Sequence, residues 1–381
     1  MYTDRDTFAV TNARIILPEA IIPQGTVIIK GKRIVAIRKG GSVPRGARKI
    51  NARGNFVAPG FIDLHIHGDV QQISLQQAKG GTSGFLATLH PAKPKALLEN
   101  IAQVLARRES ATGAKVLGIR LEGPFLNRAF CGALPSELLR RPDIFEAKRI
   151  IRKARGALKM VVLAPELKGA LGLIRFLRRR KIVASLGHTG ATYEQALKGI
   201  AAGLTHATHT FNRMRRFDHH APGATGAALT DNRLQCEVIP ERHHLHPAAL
   251  KLLLASKGLD KIMLVTDSTQ AKSSPYKKRS GDVFRLKNGT LYGTALTLNK
   301  ALQKTVKFLN LSIPEAVRLV TLNPARVLKI DKKKGSLATG KDADLVSFDK
   351  HFKVKMTIVE GQIVYNEGTN AIHRLHPHRQ P

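Results

Sequence analysis

The stretch GFIDLHIHG, Gly60 to Gly68, places two imidazoles inside a strongly apolar run. As a strand it alternates its side chains between faces, so Asp63, His65 and His67 share one face while Leu64 and Ile66 occupy the other. Buried imidazoles need partners. Two on one strand face can share a hydrogen-bonded core or share a cation. Further candidates recur along the chain: Glu122 closing KVLGIRLEGP, Glu166, His188 in KIVASLGHTG, His206 and His209 in THATHTFN, and Asp267 in KIMLVTDS.

These residues fall at the ends of regularly spaced apolar segments. Strands are expected at 61–67, 83–89, 115–122, 159–166, 181–188, 205–211, 234–241 and 261–267, with amphipathic helices between them, for example at 94–108, 168–180, 192–202 and 247–257. Eight βα units over about 250 residues predict a (β/α)8 TIM-like barrel, whose functional groups gather at the C-terminal ends of its strands. Residues 8–57 and the end of the chain share a different texture, short β-branched runs broken by Gly and Pro. They are expected to pair into a small β-sandwich domain formed by 1–57 and 331–370, around a barrel of 58–330, with 371–381 a disordered tail.

A strand-end set of His and carboxylate suits Zn or Fe. Glu122, His188 and His209 make a plausible three-ligand site with water in the open position. His65 and His67 could hold a second metal, with Glu122 as a possible bridge. Bound metal lowers the pKa of water and polarises a carbonyl, and Asp267 is placed to take that water's proton.

The bulk numbers set limits. The chain has 381 residues, 43% of them hydrophobic, enough for one large and one smaller domain. No run of 18 or more apolar residues marks a membrane span, and no leader pattern opens the chain. Two dissimilarly placed cysteines, Cys131 and Cys236, give neither a disulfide framework nor a Cys-rich zinc site, and fit a reducing cytoplasm. With 63 Lys+Arg against 27 Asp+Glu, the formal charge is +36. Such a field attracts anionic substrates and polyanions, yet the cations are spread along the chain without a nucleic-acid module, so nucleic acid is expected only as a non-specific partner.

In order along the chain stand APGFIDLHIHG, LEGPF, LGHTGAT, THTFN, PGATGAALT, LVTDS, LYGTALTL, NPARVL and KGSLATGKDADLV. Together they resemble the N-acetylglucosamine-6-phosphate deacetylase family of the amidohydrolase superfamily, from about residue 8 to 366. That resemblance implies a homodimer needing one or two divalent metals and removing acetate from a phosphorylated amino sugar. By resemblance Glu122, His188 and His209 match the main metal ligands, His65 and His67 the pair binding a second metal, and Asp267 the catalytic acid/base. Asn212, Arg213, His220 and His244 fall at substrate-binding positions. The family's KGAH-like stretch is FCGALP here, with Leu134 at the His position. FNAM is FNRM, placing Arg213 where a small residue is usual. REPG is HAPG, with His220 where an Arg reaches the phosphate, commonly in the partner subunit's site. ADGIH is PERHH, which keeps His244 and changes Glu241 and Arg242. These departures touch substrate recognition rather than the metal set. They leave two alternatives: another amidohydrolase reaction on a different N-acetyl sugar or cyclic amide, and a non-enzymatic polyanion-binding protein.

Overall fold

The computed structural model describes residues 7–270 and 277–368; the expected tail at 371–381 lies outside them. The chain opens with β1 (Thr7–Ile16), β2 (Ile21–Lys30), β3 (Arg33–Lys39), β4 (Arg48–Asn51) and β5 (Phe56–Pro59). Then come β6 (Phe61–His67), β7 (Thr82–Leu89), β8 (Lys115–Glu122), β9 (Leu158–Leu163), β10 (Val183–Leu186), β11 (Leu204–Ala207), β12 (Gln235–Val238) and β13 (Ile262–Leu264). A small antiparallel sheet follows, β14 (Lys277–Ser280), β15 (Val283–Leu286) and β16 (Leu291–Thr294), and the chain returns to extended structure in β17 (Leu345–Phe348), β18 (Val354–Val359) and β19 (Gln362–Asn366).

Strands β6 to β13 form one parallel sheet in sequence order. The sheet curls so that β6 and β13 approach each other. Leu319 and Val320 enter the gap between β6 and β13, where Ile62 N donates to Val320 O at 2.8 Å and Leu264 N to Leu319 O at 3.0 Å. At the other end His67 N donates to Ser268 O at 2.8 Å, beside a parallel bridge between Ile66 and Ser268. Helices cover the outside, as parallel strands require. Ala170–Arg179 turns Leu173, Ile174, Phe176 and Leu177 inward, each worth about 1.5–3 kcal/mol when fully buried. Tyr193–Ala202 starts at a capping box made by Thr192 and Gln195, which satisfies amide groups that have no partner within the helix.

Both chain ends meet in a second sheet, in the order β19-β18-β17-β5-β1-β2-β3 with β4 beside β1. It encloses its own core of Val10, Ile15, Val27, Ile29, Leu345 and Ile358 among others. The pairing expected between the two ends is present, as one continuous hydrogen-bonded path.

The later barrel strands are shorter than expected. The strands end at Leu186, Ala207 and Leu264, two or three residues before His188, His209 and Asp267. Those three residues turn into the left-handed region, with φ of 48°, 29° and 47°. A positive φ ends strand geometry and is uncommon outside glycine, so the candidate residues sit in sharp turns just past the strands.

Candidate active site

The turns bring the expected residues together. Glu122 Oε1 lies 3.2 Å from His188 Nε2 and 3.2 Å from His209 Nε2, and the two imidazole nitrogens are 3.2 Å apart. Atoms so spaced each lie about 1.8 Å from their common centre. Three donor atoms so spaced would together hold a divalent cation. His188 Nδ1 donates to Phe130 O at 2.9 Å. A carbonyl only accepts, so this bond puts a proton on Nδ1 and turns Nε2 toward Glu122 and His209. The donor set therefore fits a divalent cation.

A second set adjoins it. His65 Nε2 and His67 Nε2 are 3.1 Å apart, and Asp267 Oδ1 is 3.4 Å from the first and 3.3 Å from the second. Glu122 reaches this set too, with Oε1 3.4 Å from His65 Nε2 and Oε2 3.2 Å from His67 Nε2. One carboxylate thus touches both sets.

Charge within the cluster shifts the titration of its members. Burial and the Arg120 guanidinium oppose a charge on His65, but the Asp267 and Glu122 carboxylates push its pKa up to about 10. Burial works against the Asp267 carboxylate as well, and His65 and His67 still pull it down to about 2. Glu122 is held well below the carboxylate range, against burial, by His65 and by hydrogen bonds from His188 and His209. A bound cation would take the place of protons on these groups and release them.

Left-handed residues at a site represent stored strain of about 1–3 kcal/mol each, and the surroundings hold them. Asp267 is clamped from above by the small sheet: Thr294 N donates to Asp267 O at 2.9 Å, Thr269 N to Thr294 O at 2.9 Å, and Thr294 Oγ1 to Thr266 O at 2.7 Å. Gly293 permits this approach, because a Cβ there would stand 2.9 Å from Asp267 O. Glu166 lies outside the cation sets. It accepts from Thr189 Oγ1 at 2.6 Å, Gly190 N at 2.7 Å and Asn127 Nδ2 at 2.9 Å, pinning the loops on either side of His188. His206 is buried against Glu237, with Nε2 2.9 Å from Oε1.

The strand-end residue that sequence reasoning missed is His90, directly after β7. Its ring stacks on His67 at 3.9 Å and 7°, and with His67 and Glu122 it makes a third group able to hold an ion. Burial and the neighbouring His67 push its pKa down to about 3. The signal was the strand-end rule itself, which applies to TLHP as to the other strands.

Above the cluster opens a cavity of about 660 Å3 whose walls include Asn212, Arg213, Arg215, Arg216 and His244. Asn212 Nδ2 donates to His209 O at 3.2 Å. The arginine segment is tied to the residue after His188, with Thr189 N donating to Arg213 O at 3.0 Å and Arg215 N to Thr189 O at 2.9 Å. Arg213 packs over Gly132, where a Cβ would meet Nε at 2.5 Å. Glu241 accepts from His244 Nδ1 and, at 2.9 Å, from His244 N, which leaves Nε2 as the open ring nitrogen. Leu134 lines the same cavity. His220 is exposed and does not line it.

The model of the amidohydrolase family matches residues 56–364. The chain is 33% identical to N-acetylglucosamine-6-phosphate deacetylase of Bacillus subtilis (strain 168), covering 94% of this chain and 98% of that protein. It is 34% identical to N-acetylgalactosamine-6-phosphate deacetylase of Escherichia coli O157:H7, covering 81% and 87%. Among solved structures, an Asp-to-Ala variant of N-acetyl-D-glucosamine-6-phosphate deacetylase from Mycobacterium smegmatis, in complex with N-acetyl-D-glucosamine-6-phosphate, superposes with a TM-score of 0.87 at 29% identity, over 94% of this chain and 99% of the other. Matched over nearly all of its length, the chain belongs to the amidohydrolase family and, within it, to the N-acetylglucosamine-6-phosphate deacetylase family.

Proposed function

We propose that the protein hydrolyses the acetamide of N-acetylglucosamine-6-phosphate, giving glucosamine-6-phosphate and acetate. The observation that carries this reading is the convergence of Glu122, His188 and His209 at 3.2 Å spacing on the floor of a cavity walled by arginines. These three residues would hold a divalent cation, Zn or Fe, and His65 and His67 a second where one is bound. Such a cation supplies Lewis-acid polarisation of the acetamide carbonyl and lowers the pKa of water. Asp267 takes the proton of the attacking water and passes it to the departing amine.

At the other end of the cavity Arg213 binds the phosphate. Its planar fork matches phosphate oxygens as a neutral imidazole does not, and no ion pair occupies it among the described residues. Asn212 and His244 Nε2 contact the sugar. His220, exposed on a loop beside Phe217, serves the neighbouring subunit of a homodimer. The enzyme works in the cytoplasm, a reading supported by two free cysteines. The two separate hydrophobic cores support dividing the chain into a barrel of 58–330 and a small domain of 1–57 and 331–370 whose sheet closes as a sandwich.

A second reading is favoured by the comparisons. Relatives of near-equal identity are named for the gluco and the galacto substrate, which differ only in configuration at C4. The test is acetate release from N-acetylglucosamine-6-phosphate, its C4 epimer and unphosphorylated N-acetylglucosamine. The gluco phosphate is expected to show the highest kcat/KM and the unphosphorylated sugar the lowest. Preference for the C4 epimer would reassign the substrate, and equal rates on the unphosphorylated sugar would overturn phosphate recognition.

A further inference from the structure

Directly beneath the cation sets lies a second polar layer. Barrel interiors are ordinarily filled with branched apolar side chains, yet Arg120, His206 and Glu237 are fully buried here. Arg120 precedes Glu122 by two residues on β8 and faces the same way, one layer deeper. Its Nη1 and Nη2 both donate to Glu237, the second at 3.0 Å. Nη1 also donates to Leu64 O at 3.2 Å and Nη2 to Thr208 Oγ1 at 3.0 Å. His206 Nε2 meets Glu237 Oε1 at 2.9 Å.

Stability alone does not explain such a pair, because a buried ion pair is often no better than apolar residues of the same volume. The remaining contacts of Glu237 point upward. Its Oε2 accepts from the backbone N of His209 at 3.3 Å and lies 3.5 Å from His65 Nδ1. No hydrogen-bond partner reaches that nitrogen more closely among the described residues.

We propose that Glu237 is a positioning residue for both cation sets. Facing His65 Nδ1, it fixes the tautomer that carries its proton there and turns a bare Nε2 toward Glu122 and Asp267. Through the same oxygen it pins the backbone of His209 in its left-handed turn. Arg120 fixes the orientation of the carboxylate through its two guanidinium nitrogens. Outer carboxylates of this kind set ligand orientation and basicity, and their loss costs about 10–100-fold in metal affinity. The inference rests on the reading of His65 and His209 as ligands, and it adds a residue from β12, a strand that supplies no ligand.

Two measurements test it. In zinc-loaded protein with 15N-labelled histidine, long-range 15N–1H correlation reads each ring's tautomer. His65 is expected to carry its proton on Nδ1, and a proton on Nε2 overturns the proposal without any variant. Zinc affinity, by competition with a chromophoric chelator, is then compared for wild type, Glu237→Gln and the doubly apolar Arg120→Met/Glu237→Met. The double variant removes both charges together, so its fold does not depend on an orphaned guanidinium. Affinity is expected to fall about 10–100-fold in the variants while the metal-free double variant melts near the wild-type temperature. Wild-type affinity in that variant overturns the proposal. Wild-type protein that takes up no zinc would instead overturn the ligand reading beneath it.

Discussion

The floor and the rim of the cavity are built on different principles. On the floor, Glu122, His65, His67, His188, His209 and Asp267 stand within about 3.5 Å of one another in overlapping sets, and each turn is clamped by main-chain hydrogen bonds. On the rim, Arg213, Arg215 and Arg216 are exposed side chains on a segment fixed mainly through its backbone to Thr189. A floor whose members define one another tolerates no single exchange. A rim whose side chains answer only to the ligand can change while the chemistry stays, and here FNRM and HAPG depart from the family pattern.

Substitutions should separate the two regions. The largest effect is expected from Glu122→Gln, which touches both cation sets: metal uptake, read by elemental analysis, and acetate release should both be lost. Retention of full metal content would show that the floor is less interdependent than its geometry implies. Asp267→Asn should lower kcat by about 10²–10⁴-fold, the usual worth of a positioned general acid–base group, with cation still bound at Glu122, His188 and His209. On the rim, Arg213→Ala removes a charge-assisted contact worth about 1.5–3 kcal/mol. Steady-state kinetics should show KM raised about 10–100-fold with kcat little changed. A fall in kcat with KM unchanged would move Arg213 from rim to floor.

The smallest effect belongs to a region remote from both. Ser312 and Glu315 form a capping box on the helix Ile313–Arg318. Ser312→Ala should cost about 1 kcal/mol in thermal melts and leave kinetics and metal affinity untouched. The hydroxyl and backbone N–H of Ser312 hold the Glu315 carboxyl below its usual range. This small contribution is therefore complete above the unfolded-state pKa and is lost as pH falls through the folded one.

The contrast between floor and rim also explains what the sequence disclosed. The strand-end rule found Glu122, His188, His209 and Asp267 because eight βα units set a period, and the helix at Pro94–Arg108 appears with the expected bounds. The same rule misplaced Glu166. A carboxylate after a strand can turn sideways onto neighbouring loops, and nothing local distinguishes that from turning inward. Arg120 and Glu237 escaped notice because their pairing joins β8 to β12 across the barrel, a contact with no signature in either segment. The clamp of β16 on Asp267 was equally hidden, since LYGTALTL reads as motif without revealing which loop it covers. Whether an exposed arginine such as Arg216 faces a cavity depends on the course of a whole loop, so the rim was the least legible part.

The most direct test of a metal-dependent hydrolytic floor is acetate release from N-acetylglucosamine-6-phosphate by chelator-stripped protein as divalent cation is added back in known equivalents. Activity should be absent at the start, rise with cation bound, and level off at one or two per chain. Acetate release that persists in the stripped protein, or that ignores the added cation, would contradict the assignment of Glu122, His188 and His209 as the seat of the chemistry.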